Sequence, residues 1–516
     1  MIGARALLET LLASGVDTCF MNPGTSEMHF VAALDDVPAM RSVLALFEGV
    51  ATGAADGYGR MTGRPAATLV HLGPGLGNGM ANLHNARRAR TPVVNVVGDH
   101  ATYHQAYDAP LQSDIETSAA NVSLAILRPA DRAALSADAA RAVALAAGPP
   151  GGVATLILPA DISWSDGPGP AGPAERGAPL PVDQAAVSEA AKALRSGSRT
   201  GFLVGGDGTR RQALMVLGDV AQRFGSETIC ETFPARLERG AGIPALTPLP
   251  YLGEMAADLL DGLDHLILVG ARSPVSFFAY PGKPSDLVPA GCQVHHLSEP
   301  GQPATAALEA LAAELDVGPG TWRAPDAERP GPPTGSEPLT AEAVNRAVGA
   351  LMPEDSIISD ESATSGFRAR GASSGAPPHD WLTLTGGAIG QGLPVAVGAA
   401  VASPGRRVIA LQADGGSLYT IQALWTMARE GLDVVTVIYN NRSYAILNME
   451  LDRVGAAAGG PRARAMLDLS RPDLDFVSLA AGLGVAATRA TTVGEFSDQL
   501  AAALATPGPS LIEAMI

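Results

Sequence analysis

Val408-Ile409-Ala410-Leu411-Gln412-Ala413 runs directly into Asp414-Gly415-Gly416-Ser417, and Val434-Val435-Thr436-Val437-Ile438-Tyr439 runs into Asn440-Asn441-Arg442-Ser443. Both apolar runs read as short buried strands, with a helical stretch between them. Asp414 and Asn441, 27 positions apart at the carboxyl ends of the two strands, can therefore converge on one cation. Oxygen donors of this kind suit Mg2+, which keeps phosphate oxygens in its shell. The glycines allow close approach of a diphosphate, and their N–H groups and the start of the next helix favour its charge. A strand-end Asp-Gly turn followed by an Asn-Asn turn, common in α/β proteins, is the other reading of these residues.

The pattern resembles the Gly-Asp-Gly…Asn-Asn signature of thiamine diphosphate (ThDP) enzymes, with Ala413 in place of the first glycine. The resemblance implies metal ligation by the Asp414 carboxylate, the Asn441 amide and the Ser443 main-chain carbonyl. Gly415, Gly416 and Tyr444 would then lie against the diphosphate. Such an enzyme needs a carboxylic acid against the aminopyrimidine N1′ of its cofactor. Ala45-Leu46-Phe47-Glu48 offers one, an apolar strand delivering Glu48 to the helix-like stretch Gly49–Arg60. Burial against Leu46 and Phe47 would favour its protonated form. A helix-start glutamate complementing the helix dipole would look the same in isolation.

Other motifs follow in order: Asn22-Pro23-Gly24-Thr25-Ser26-Glu27, Glu48, Ala54-Ala55-Asp56-Gly57-Tyr58-Gly59-Arg60 and Gly73-Pro74-Gly75-Leu76-Gly77-Asn78. Together they resemble the pyrimidine-binding domain of the decarboxylase and acetohydroxyacid synthase branch. The likeness extends over essentially the whole chain, to acetolactate synthase large-subunit-like proteins and then to benzoylformate decarboxylase. Asn22, Pro23, Gly24, Thr25 and Gly73 are the implied cofactor contacts of this half. Gly386-Gly387-Ala388-Ile389-Gly390-Gln391-Gly392 resembles the family segment that holds ThDP bent, with Ile389 in the bracing position and Gly387 beside the cofactor. An ordinary core isoleucine is the alternative for Ile389.

The chain of 516 residues is too long for one core. Helix–strand alternation in the first block, with strands such as Ala67–Val70, Val93–Val97 and Ala154–Leu158, implies a parallel sheet covered by helices. A Pro/Gly run after Asp166 and another at 318–338 read as linkers. The expected fold is α/β with three domains, each a parallel sheet flanked by helices. They are a pyrimidine-binding domain at 1–165, a linker at 166–184, a central Rossmann-like domain at 185–317, a linker at 318–338 and a diphosphate-binding domain at 339–516. The family architecture divides the cofactor between the first domain of one subunit and the last of its partner. A homodimer is the expected minimum, with a homotetramer open.

A net charge of −17 argues against a nucleic-acid or anionic-membrane surface. Cys19, Cys230 and Cys292 are too few and too scattered for a disulfide framework or a CxxC metal site. Neither a signal-peptide layout nor a long apolar run is visible, so the expectation is a cytoplasmic enzyme without membrane contact.

Residues near the reacting carbon point two ways. Asp360-Glu361-Ser362-Ala363 resembles the Asn-Glu-Ser-Thr stretch of benzoylformate decarboxylase, whose polar side chains face the phosphate end and would include Ser362. His71 matches one histidine of that enzyme's proton-transferring pair. A histidine hydrogen-bonded behind the glycine turn would look alike. Asp108-Ala109-Pro110-Leu111-Gln112 is instead similar to an acetohydroxyacid synthase segment and would bring Gln112 near the reacting carbon. His100 and His104 lie on the loop leading there, and either rim the site or sit on the surface.

Three departures stand out. No tryptophan follows Asn441 where the synthases carry one for acceptor selection. Gly270-Ala271-Arg272-Ser273-Pro274-Val275-Ser276-Phe277-Phe278 loses the acidic continuation of the flavin-contacting stretch, which argues against FAD. The same segment lacks the second histidine of benzoylformate decarboxylase.

The implied activity is a ThDP- and Mg-dependent 2-oxo acid decarboxylating carboligase of acetolactate synthase type, adding a pyruvate-derived enamine to a second carbonyl. The alternatives are a non-ligating 2-oxo acid decarboxylase and a non-catalytic ThDP-binding paralogue.

Overall fold

A computed structural model describes residues 1–324, 329–454 and 459–516. Residues 325–328 of the expected linker and 455–458 of the expected last domain lie outside the described residues.

The first sheet is built from β1 (Thr18–Asn22), β2 (Arg41–Leu44), β3 (Ala66–Val70), β4 (Val93–Asp99), β5 (Ala125–Leu127) and β6 (Val153–Pro159), in the order β2-β1-β3-β4-β6-β5. All its pairings are parallel. β3, β4 and β6 are buried along their whole length, as continuous apolar runs covered by helices on both faces require.

In the middle of the chain come β7 (Thr200–Val204), β8 (Glu227–Cys230), β9 (Leu237–Arg239), β10 (Thr247–Pro248), β11 (His265–Val269) and β12 (Gln293–Ser298). They form a parallel sheet ordered β10-β8-β7-β11-β12, except for β9. The third sheet takes β13 (Ile357–Glu361), β14 (His379–Thr383), β15 (Val408–Ala413), β16 (Val434–Asn440), β17 (Ala486–Ala490) and β18 (Ser510–Met515) in the order β17-β18-β16-β15-β13-β14-β9. The expected α/β class with three helix-flanked sheets is therefore the observed one. β9 leaves its neighbours in sequence and adds an antiparallel edge to β14.

The chain reverses direction across the first sheet between β1 and β3, and across the third between β13 and β15. In open α/β sheets, crevices form at such switch points, outside the carboxyl ends of the strands. Every predicted site segment hangs from one of these ends or from the helix beside it.

Two helices join the outer units. Helix Gly392–Ala402 is buried from Gly392 to Val401 and packs on helix Glu48–Thr62. The contact relies on missing side chains: a Cβ at Gly53 would lie 2.5 Å from Pro394, and one at Gly57 would collide with the Val395 carbonyl. Beside it, Arg60 and Asp56 form a fully buried pair at 2.6 Å. Asp56 also accepts from Thr91 at 2.5 Å and from Gln391 at 3.1 Å. Arg60 donates to the Thr383 carbonyl at 2.7 Å and to Thr385 at 2.9 Å. Among the described residues no helix is long and apolar enough to cross a membrane.

Candidate active site

One cluster gathers at the β1/β3 switch point. Asn22 pairs with Val70 in register, so the loops Pro23-Gly24-Thr25 and His71-Leu72-Gly73 leave the sheet side by side. The His71 ring lies against Gly24, where a Cβ would collide with it. Glu27 is completely buried; its Oε2 lies 2.7 Å from His71 Nδ1 and accepts the Gly24 N–H at 2.7 Å. Burial pushes the Glu27 carboxyl up, and His71 with the Gly24 N–H partly offsets this.

Glu48 is the first residue of helix Glu48–Thr62, as anticipated, but two features of its setting differ. The strand ends at Leu44, so residues 45–47 are a loop, and Leu46 is 46 % exposed rather than packed over Glu48. The carboxylate instead meets the 72–89 helix, where Asn78 Nδ2 donates to Oε2 at 3.0 Å. Gly73-Pro74-Gly75, expected as a turn, is the first turn of that helix. Oε1 of Glu48 would be 2.9 Å from a Cβ at Gly75, so only glycine fits there with the carboxylate in place.

Gln112 reaches the same cluster through its neighbour. The Ser113 hydroxyl fills the space left by the missing Gly73 side chain, and Gln112 Oε1 is buried without a partner among the described residues. The His100 and His104 rings meet at a steep tilt, 5.4 Å between centroids, on the loop before it.

The second cluster lies at the ends of β13, β15 and β16. Ala413 is paired with Tyr439, which brings Asp414 and Asn440-Asn441 together. Burial pushes the Asp414 carboxyl up, and N–H groups of Gly415, Arg442, Ser443 and Asn441 oppose the shift. Its Oδ2 remains buried with no partner among the described residues. A buried orphan carboxylate oxygen is costly. Beside the Asn441 amide and the Ser443 main chain, it is the donor set a hard divalent cation takes. No group of three His, Cys, Asp or Glu side chains suited to a metal occurs among the described residues.

A Cβ at Gly415 would collide with the Tyr444 ring, and one at Gly416 would lie 2.7 Å from Glu361 Oε1, so both backbone units are kept bare. Ser443 is anchored from the far side, its hydroxyl donating to the Leu467 carbonyl at 3.2 Å and accepting from Asn448 at 2.9 Å.

The Ile389 segment lies between the two clusters. Glu361 accepts the Gly390 N–H at 2.7 Å and the Gly392 N–H at 2.5 Å, while Asn82 and Asn85 donate to the carbonyls of Gly390 and Ala388 at 3.2 and 2.8 Å. Ser362 turns its hydroxyl back to Asp360 at 2.5 Å. Within the chain, Glu361 sets the segment after Ile389 and Asp360 takes the Ser362 hydroxyl.

Non-glycine residues in the left-handed region recur beside these loops: Leu72 (φ 50°), Asp108 (φ 47°), Ala363 (φ 49°) and Arg442 (φ 56°). Strain of this kind concentrates where a site is held in a set geometry.

Sequence reasoning assigned no role to Glu27 or to a group of rings from the middle unit. Phe233, Tyr251, Phe277 and Phe278 pack together, with the tip of Phe277 2.6 Å from where a Gly387 Cβ would be. Tyr280 donates to Glu450 at 2.8 Å, and Arg453 lies 4.8 Å over the Tyr280 ring, tying this loop to the helix after Ser443. The run Phe277-Phe278 was the available signal.

Open parallel sheets with polar clusters at their switch points define the class, a modular α/β protein with binding sites at strand ends. Residues 1–121 match the family model described as thiamine pyrophosphate enzyme, N-terminal TPP binding domain, and residues 367–514 match the C-terminal TPP binding domain. The chain belongs to the thiamine pyrophosphate-dependent enzymes. It is 59% identical to a Mycobacterium tuberculosis protein provisionally named acetolactate synthase large subunit IlvX, over 100% of this chain and 99% of that one. It is 32% identical to benzoylformate decarboxylase of Pseudomonas aeruginosa, over 98% and 97% respectively. Among solved structures, the ThDP-dependent 4-hydroxybenzoylformate decarboxylase of Rhodococcus jostii superposes with a TM-score of 0.86 at 26% identity, covering 100% of this chain and 99% of that chain.

Proposed function

We propose that this ThDP-dependent enzyme acts with Mg2+ as a decarboxylating carboligase, joining two pyruvate-sized 2-oxo acids into a 2-acetohydroxyacid with loss of one CO2. The observation that carries the reading is the Asp414 cluster, whose orphan Oδ2 beside Asn441 and Ser443 fits a Mg2+-diphosphate. The name of the 59% identical relative supports the acetolactate type.

When bound, ThDP supplies the nucleophilic carbon and the electron sink for loss of CO2. Asp414, the Asn441 amide and the Ser443 carbonyl hold the metal, while Gly415, Gly416 and Tyr444 line the diphosphate. Asn22, Pro23, Gly24, Thr25 and Gly73 cradle the pyrimidine end, and Ile389, next to Gly387, braces the cofactor. Glu48, with Asn78 on Oε2, keeps Oε1 for a proton at the aminopyrimidine N1′. His71 gives or takes a proton at Nε2, and Gln112 orients the acceptor.

Within one chain, no hydrogen bond among the described residues joins Glu48 or His71 to the Asp414 cluster. Exposed apolar side chains flank both clusters, Leu46 at one and Tyr419, 53 % exposed, at the other. A homodimer that covers them completes the site. The proposed reaction includes no FAD, because the stretch after Gly270 lacks the acidic continuation of the flavin-contacting segment.

Release of an aldehyde instead of carboligation is the second reading. It is favoured by the Glu27–His71 pair, which suits proton delivery to the product carbon. Purified protein given ThDP, Mg2+ and pyruvate, then benzoylformate, separates the two. Acetolactate without added FAD supports the carboligase, and aldehyde alone assigns the decarboxylase.

A further inference from the structure

The pairing of Glu27 with His71 has the geometry of a device rather than of packing. The carboxylate has no exposed surface, while the His71 side chain is 23 % exposed. Oε2 accepts the Gly24 N–H and lies beside the ring nitrogen Nδ1, at 2.7 Å each. Oε1 sits against Gly98 of β4, where a Cβ would overlap it, and has no partner among the described residues. Three separate segments, the turn after β1, the end of β3 and β4, thus conform around one carboxylate, and the ring lies flat on Gly24. A buried carboxylate this far from water persists when it serves a partner.

We propose that Glu27 is the positioning residue for His71, fixing the neutral ring as its Nδ1–H tautomer and compensating its charge when a second proton arrives. With Glu27 ionised and Oε2 accepting one main-chain N–H, the bond to Nδ1 places the proton on Nδ1. That leaves Nε2, which has no protein partner among the described residues, as the exchanging atom. The doubly protonated ring gives its Nε2 proton to the substrate-derived atom and returns to the neutral Nδ1–H form. Solvent resupplies the proton. The other titratable group packed here is Glu48, whose Oε1 shares the bare face of Gly75 with the His71 Cβ; Asp99 at the end of β4 is engaged by Arg128 at 2.7 Å. The inference rests on the placement of His71 at the reacting centre.

The test begins without activity. In apo protein labelled with 15N-histidine, with His71→Gln to assign the signal, the neutral His71 ring should show the Nδ1–H tautomer. In Glu27→Gln the Nδ1–H form should give way to a mixture of tautomers; spectra unchanged by this substitution overturn the proposal. If Glu27→Gln does not fold, Glu27→Asp keeps the charge but withdraws it by one methylene and should show a smaller loss in the same direction.

Turnover by the loaded enzyme then distinguishes positioning from scaffolding. Glu27→Gln should lower kcat at least ten-fold with KM within three-fold, and should cost nothing further in a His71→Gln background. Additive losses mean a purely structural role and refute the proposal. A kcat unaffected by His71→Gln, with the spectral effect of Glu27→Gln intact, refutes the placement of His71 at the reacting centre but not its control by Glu27.

Discussion

Replacing Arg60 by Met tests how the two outer units are joined. The guanidinium is enclosed, with both members of the Arg60–Asp56 pair at most 1% exposed. The substitution keeps most of the aliphatic volume but leaves the Asp56 carboxylate buried with only Thr91 and Gln391 as donors. Breaking a buried pair on one side costs about 3–5 kcal/mol, more than the pair itself contributes, because an uncompensated charge remains. At about 1 °C per kcal/mol for a chain of this length, the melting temperature should fall by roughly 3–5 °C.

A second effect follows from position. Gln391 and Thr385 flank Ile389, so loosening the clamp should also weaken ThDP binding by about ten-fold, or about 1.4 kcal/mol. Replacing both partners, as Asp56→Leu with Arg60→Met, should recover part of the stability. Recovery stays incomplete because Thr91 and Gln391 lose their acceptor. Calorimetric melting and a ThDP titration measure the two effects. A loss below about 1 kcal/mol for Arg60→Met would refute the reasoning, because it would mean that water reaches the pair.

Two further substitutions probe titratable groups. Asp414→Ala removes a buried carboxylate with an orphan oxygen, so the apoprotein should become more stable by about 1 kcal/mol while Mg2+-dependent ThDP affinity falls at least about 100-fold; binding within three-fold of wild type would contradict the metal assignment. Burial pushes the Glu231 carboxyl up from 4.5 to about 7, against the Gly206 N–H and Arg88, Arg90 and Arg272. A raised carboxyl contributes stability that is complete below about pH 4.5 and lost as the pH rises through 7, so Glu231→Gln should be more stable than wild type at pH 8 by about 2 kcal/mol, with the gap closing toward pH 5 in urea titrations.

The parts of the fold legible in sequence were those written locally. β15 and β11 begin and end where their apolar runs do, and Glu48 opens its helix as the change from apolar to small residues suggested. What escaped was set by contacts distant in sequence. β9 joins β14 through a pairing of residues 237–239 with 379–381, which no local period encodes. Leu46 reads as core by composition yet lies exposed in the loop before Glu48. The bonds from the Gly390 and Gly392 N–H groups to Glu361 span about 30 residues and have no local signal. Glu27 stood in a quoted motif, but its partner is 44 residues away, and only the parallel pairing of β1 with β3 shows the two together.

The central claim is that Glu48 activates bound ThDP for 2-oxo acid chemistry. The most direct measurement compares wild type with Glu48→Gln for 2-oxo acid consumption at saturating ThDP and Mg2+, with cofactor affinity determined on the same preparations. The account predicts a rate at least about 100-fold lower with ThDP affinity within three-fold of wild type. An unchanged rate in the variant would contradict it.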